Sequence, residues 1–144
     1  MINFLKDIIK SSGNEYAGIA SEGIEGSDVT GFVNTGSYAF NALLSGSLYS
    51  GIPDNKIMAL AGESATGKTY FALGMCKKFL DDNPEGMILY FDTESAVTSD
   101  MIRERGLDPN RVAIFPVATV EGFRYQAISI VDTYIKTKEK KPVF

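Results

Sequence analysis

Residues 62–69 read Gly-Glu-Ser-Ala-Thr-Gly-Lys-Thr, a small, polar interval between the apolar runs Ile57–Ala61 and Phe71–Leu80. The interval matches G-x-x-x-x-G-K-[ST] without deviation. Phosphate oxygens carry concentrated negative charge and need many donors at short range. A loop over Gly62, Glu63, Ser64, Ala65, Thr66, Gly67, Lys68 and Thr69 can present successive backbone N–H groups, and the start of a following helix adds partial positive charge. Gly62 and Gly67 allow angles and approaches that a Cβ blocks. Lys68 is a mobile point charge for the β- and γ-phosphates and is assigned a catalytic part. Thr69 offers its hydroxyl to Mg²⁺. The same residues could make an ordinary turn. The apolar run before them and the helical pattern after them favour the phosphate loop, and with it a nucleotide such as ATP.

A second candidate lies at Phe91-Asp92-Thr93-Glu94-Ser95, after the apolar run Met87–Phe91. Ligands of parallel sheets collect at the carboxyl ends of the strands, so Asp92 or Glu94 would reach the rim that carries the loop. A carboxylate there can deprotonate or orient the water that attacks a γ-phosphate. Both side chains face the rim only if the strand stops near Phe91. The competing reading is that they cap the next helix, a task open also to Ser95 and Thr98.

Positioning these residues needs a regular scaffold, and the periodicity supplies one. Strands are expected at 57–61, 87–91 and 112–115, and another apolar run begins at Pro142. Helices are expected at 68–81, 97–105 and 121–136, the last with an inward stripe of Phe123, Ala127, Ile130, Val131 and Tyr134. Strand and helix in alternation indicate an α/β fold, a mainly parallel sheet flanked by helices. Upstream, the region 37–48 carries Ala39, Phe40, Leu43 and Leu44 at helical spacing, with Gly46 as the stop. Residues 2–9 read as a short amphipathic helix, packing on its own core or on a partner. Residues 11–36 hold glycine, serine and asparagine without a sustained period, as a linker or loose arm does. The expected division is an N-terminal helix and arm over 1–36, which would serve oligomerisation, and a core over 37–144.

The 144 residues suit one domain, and 44% apolar content is ordinary for a globular core. The absence of histidine and the single cysteine, Cys76, exclude histidine-based triads, zinc clusters and an internal disulfide within this chain. No apolar run is long enough to span a membrane, and the N-terminus lacks a secretion signal, so a cytoplasmic location is expected, the host's if the gene is a phage's. A net charge of −4 does not advertise nucleic-acid binding on its own.

The runs GIPDNKIMALAGESATGKTYFAL and MILYFDTESAVTSDMIRERGLDPNRVAIFPV, with the preceding TGSYAFNALLSGSLYSGIP, resemble the ATPase core of RecA-type recombinases. The likeness is greatest to the UvsX recombinases of tailed bacteriophages, and it covers roughly residues 34–144. It implies a RecA-like core that binds ATP and Mg²⁺, assembles with itself into a filament or ring, engages single-stranded DNA and acts in recombination and repair. By the same likeness Glu94 stands at the family's catalytic glutamate. Two features depart from the family's pattern. Thr98 and Met101 occupy the positions of an aspartate and a tyrosine that contact adenine in bacterial RecA. The family's second metal-site aspartate and its DNA-binding loops fall beyond Phe144, so the expected sheet is truncated before completion and DNA contact belongs to downstream regions. On this reading the chain alone would bind nucleotide but turn it over poorly. Two alternatives share the loop: a RecA-fold hexameric helicase or clock-type ATPase, and a nucleotide-binding assembly module without turnover.

Overall fold

The computed structural model describes residues 2–24 and 27–144. In chain order the elements are α1 (Ile2–Ser12), β1 (Phe32–Val33), α2 (Tyr38–Ser45), β2 (Ile52–Pro53), α3 (Lys68–Asp82), β3 (Ile88–Asp92), α4 (Ser99–Glu104), β4 (Val112–Pro116) and α5 (Val120–Lys136). Short 3-10 turns lie at Ala20–Glu22 and Pro109–Arg111.

Local chemistry sets the helix ends. Ser37, Thr98 and Thr119 each accept a backbone N–H through the side chain, from Phe40, Met101 and Gly122 respectively, which starts α2, α4 and α5. Gly46, at φ +75°, stops α2 in the left-handed conformation that glycine tolerates best.

β3 and β4 pair in parallel from Ile88↔Val112 to Asp92↔Pro116. On the opposite edge of β3, Val143 forms a parallel bridge with Met87, held by Met87 N to Pro142 O at 2.9 Å and Phe144 N to Met87 O at 3.0 Å. Alternation along the strands then assigns their two faces. Ile88, Tyr90, Val112 and Ile114 turn toward α3 and α4, packing with Leu73, Cys76, Phe79, Leu80 and Ile102. Phe91 turns the other way, stacking on Phe115 and meeting Phe123 of α5 edge-on, both at 5.0 Å between centroids. Arg111 closes the bottom of this unit, donating from Nε to Gly86 O at 2.9 Å and from Nη2 to both Leu80 O and Asn83 O.

A second, polar centre forms around Asn41 of α2, which is fully buried. Its Oδ1 accepts from Thr35 N at 3.0 Å and Thr35 Oγ1 at 2.7 Å, and its Nδ2 donates to Asn34 Oδ1 at 3.0 Å and Leu48 O at 2.8 Å. Every bonding position of the amide is filled. Gly51 is needed beside it, because a Cβ there would collide with Val33 O and come within 2.8 Å of Asn41 Oδ1.

Several expectations change. The fold is mixed α/β, but among the described residues parallel pairing is confined to β3, β4 and the Val143 bridge. Residues 57–61 do not form the buried strand that their composition suggests: the run joins neither sheet, and Ile57 is fully exposed. A strand needs a neighbour to satisfy its ladder groups, and no strand among the described residues lies alongside this one. Residues 27–33 are less loose than a linker: β1 pairs with β2, and Asn55 Nδ2 and Lys56 Nζ donate to the carbonyls of Asp28 and Ser27 at 2.6 and 2.8 Å. On α5, Ala127, Ile130 and Tyr134 are half-buried as expected, whereas Val131 faces out and Phe123 keeps an exposed edge. The apolar side of α1 is uncovered at Ile2, Phe4, Leu5 and Ile8, so α1 does not pack its apolar stripe on the chain's own core.

Candidate phosphate-binding site

The loop 62–69 is exposed and leads directly into α3, with Gly67 as the residue before the helix at φ +89°. That angle is the physical need for glycine at 67. At 62 the need is proximity, since a Cβ would stand 3.1 Å from Thr66 Oγ1. Ala65 also adopts positive φ, +62°, although it carries a Cβ. Such backbone costs on the order of 1–2 kcal/mol, and it persists here in a loop whose curvature depends on it.

The loop is wound around its own lysine. Lys68 Nζ donates to Gly62 O at 2.8 Å and to Glu63 O at 2.6 Å, and Thr66 Oγ1 donates to Glu63 O at 2.8 Å. Among the described residues the backbone amides of 63–65 and 67–69 meet no backbone acceptor; the turn over 64–65 faces Thr66 N to Glu63 O, and the helix ladder opens with Phe71 N bonded to Gly67 O at 2.9 Å. A ring of unfilled donors closed by an ammonium group fits a polyphosphate. Among the described residues no cluster of His, Cys, Asp and Glu could hold a metal ion by itself. An Mg²⁺ ion here would therefore rely on phosphate oxygens, water and Thr69, as Mg²⁺ commonly does.

Thr69 shares a cavity of about 140 Å³ with Tyr90, Asp92, Thr93, Glu94 and Val97. The end of β3 is thus beside the start of α3, and the two acidic residues part company there. Asp92 is buried. Its Oδ1 accepts from Glu94 N at 3.1 Å and its Oδ2 from Val97 N at 2.9 Å. These amides, Val97 first, hold the carboxyl below the ordinary aspartate range, outweighing the opposing effect of burial. Inside this turn Ser95 sits at φ +53°. Glu94 is exposed, with its side chain left at the cavity. Burial, followed by the negative charge of Asp92 and other neighbours, raises the Tyr90 phenol, against a hydrogen bond with Thr69 that lowers it. Tyr90 therefore stays protonated.

Thr98 caps α4 instead of reaching the cavity, and Met101 packs against the core cluster. Sequence spacing missed the Asp92 turn, whose signal was an aspartate two residues before Glu94. It also missed a stack of the Arg105 guanidinium on the Tyr70 ring, 2.9 Å from carbon to centroid, between residues far apart in sequence.

No family model matches the chain. Over 104 residues, 72% of its length, it is 33% identical to the recombination and repair protein of Enterobacteria phage T4, aligning with 26% of that protein. Over 87 residues, 60% of its length, it is 36% identical to protein RecA of Malacoplasma penetrans (strain HF-2), aligning with 25% of that protein. This stretch is similar to the RecA-type recombinases. The chain spans about a quarter of the length of these curated relatives. The likeness rests on these two alignments, one to a protein named for recombination and repair and the other to a RecA.

Proposed function

We propose that this chain carries the ATP-binding part of a RecA-type recombinase, a Mg²⁺-dependent, DNA-dependent ATPase of recombination and repair. The supporting observation is that Thr69, the last residue of the loop 62–69, and Glu94 line one cavity. On this reading residues 37–144 are the RecA-like core and residues 1–36 an arm for self-assembly into a filament or ring. Single-stranded DNA is the partner, engaged by regions that the relatives have beyond the matched stretch. The setting is the cytoplasm, the host's for a phage protein. Among the described residues no helix is long and apolar enough to cross a membrane.

The roles follow from chemistry. Lys68 leaves its two loop carbonyls and, with the free amides of 63–65 and 67–69, binds the triphosphate oxygens. Thr69 holds the metal-facing hydroxyl. Mg²⁺, when bound, neutralises charge on the β- and γ-oxygens. Glu94 accepts a proton from the water that attacks the γ-phosphate, giving ADP and phosphate, and Asp92 keeps its turn in place.

A second reading has its own observation. The run 57–61 that leads into the loop is unpaired, so the loop is anchored by regular structure only at its helix end. That favours nucleotide binding without turnover in this chain. Phosphate release under single-turnover conditions separates the two. The ATPase reading expects Glu94→Gln to keep Mg-ATP affinity and lower the hydrolysis rate by about 10²–10⁴-fold. An unchanged rate overturns the role of Glu94, and no release by the parent chain supports the binding module.

A further inference from the structure

Tyr90 stands near the end of β3, two residues before Asp92, and alternation along the strand puts both on the face toward α3. Its ring packs against the buried cluster that includes Leu73, Cys76 and Ile88, so the ring has a structural task. That task needs no oxygen, and a phenylalanine ring would fill the same space. Tyr90 also lines the cavity of about 140 Å³ that it shares with Thr69, Asp92 and Glu94. Among the described residues its hydroxyl bonds to no backbone group and no carboxylate; its hydrogen-bond partner is Thr69.

Thr69 differs from the other helical threonines in what its hydroxyl does. At the end of α5, Thr133 and Thr137 give their hydroxyls to the carbonyls four residues back, at 2.8 and 2.9 Å. Such a bond turns the oxygen along the helix and occupies its proton there. Among the described residues Thr69 makes no such bond, and the residue four back, Ala65, lies in the loop at φ +62°. A threonine hydroxyl has one proton and two lone pairs. One that faces a cation through its lone pairs must give its proton to an acceptor on the other side. A carboxylate in that place would compete for the cation, because hard cations take carboxylate oxygens readily. A neutral phenol oxygen, fixed by a packed ring, takes the proton without that competition.

We propose that Tyr90 is a positioning residue for the phosphate loop: its phenol oxygen accepts the Thr69 proton and so keeps the Thr69 lone pairs turned to the cation that accompanies the nucleotide. The proposal rests on the Mg-nucleotide reading above and adds to it a residue of β3 that acts through Thr69. Asp92, on the same face, is occupied by the amides of Glu94 and Val97 and leaves this task to the phenol.

The test measures ATP affinity by calorimetry with Mg²⁺ and with EDTA, using the parent chain, Tyr90→Phe, Thr69→Ala, the Tyr90→Phe/Thr69→Ala double variant and Lys68→Ala. Tyr90→Phe removes one oxygen and keeps the ring in the core, and far-UV circular dichroism checks that each variant folds. We expect Tyr90→Phe to weaken Mg-ATP about fivefold, the size of one neutral hydrogen bond, and metal-free ATP by less than about twofold. In the Thr69→Ala background the same change should weaken Mg-ATP by less than about twofold, since the residue it acts through is gone. If Tyr90→Phe binds Mg-ATP like the parent, weakens ATP equally with and without Mg²⁺, or keeps its full effect without the Thr69 hydroxyl, the positioning role is refuted while the phosphate loop stands. If Lys68→Ala binds Mg-ATP like the parent, or the parent binds ATP no better with Mg²⁺ than without, the Mg-nucleotide reading fails and the role of Tyr90 with it.

Discussion

Replacing Asp92 by asparagine isolates the one buried carboxylate at the site. Its two oxygens accept separately, from Glu94 N at 3.1 Å and from Val97 N at 2.9 Å. Asparagine has one acceptor oxygen, and its NH₂ must then face the other N–H. One hydrogen bond to a charged acceptor is lost and the second is weakened. Such bonds contribute about 1.5–3 kcal/mol each, and the turn lies on a solvated rim, so the expected loss is about 2 kcal/mol. In urea denaturation this lowers the midpoint by about 1 M for a domain of this size.

The pH dependence gives a second readout with a definite sign. The folded-state pKa of Asp92 lies below its ordinary value of 3.8. Its stabilisation is therefore complete well above that value and disappears as pH falls through the depressed one. The gap between parent and Asp92→Asn should be full at pH 7 and close only below about pH 4. An equal urea midpoint at pH 7, or a gap that persists unchanged in acid, refutes the assignment of Asp92 as the residue that holds the Glu94 turn.

Two further predictions concern the scaffold. Burial pushes the Cys76 thiol up to about 11, so a disulfide reagent at pH 8 should leave it unmodified in the folded chain and modify it fully in urea; rapid modification of the folded chain would contradict the packing of α3. Asn41→Leu preserves size but leaves Thr35 N and the Leu48 carbonyl without their buried partner. It should cost about 3 kcal/mol and lower the thermal midpoint by about 10 °C, and a variant that melts with the parent would show the polar centre to be dispensable.

What was legible in the sequence was whatever a short motif or a local period encodes. The loop 62–69 and α3 carry their own instructions: glycine where φ is positive, a lysine, then an apolar stripe. β3, β4 and α5 have the expected periods and flanking caps. The run 57–61 misled because apolar composition describes what a strand could bury, whereas a ladder is a property of two segments. Val131 misled for a related reason, since its neighbour Ile130 fills the inward position and a helix turns the next residue away. The spacing of Asp92 and Glu94 named two candidates but could not divide their work, which depends on the turn that folds the amides of 94 and 97 back onto one carboxylate. The Arg105–Tyr70 stack joins residues on separate helices, and no local pattern announces it.

The central claim is that residues 62–69 hold the phosphates of Mg-ATP through Lys68 and the free loop amides. Calorimetric titration of the 144-residue chain with Mg-ATP tests it most directly. Saturable binding by the parent and by Glu94→Gln, abolished in a folded Lys68→Ala variant, is the predicted result. Undiminished binding by Lys68→Ala would contradict it.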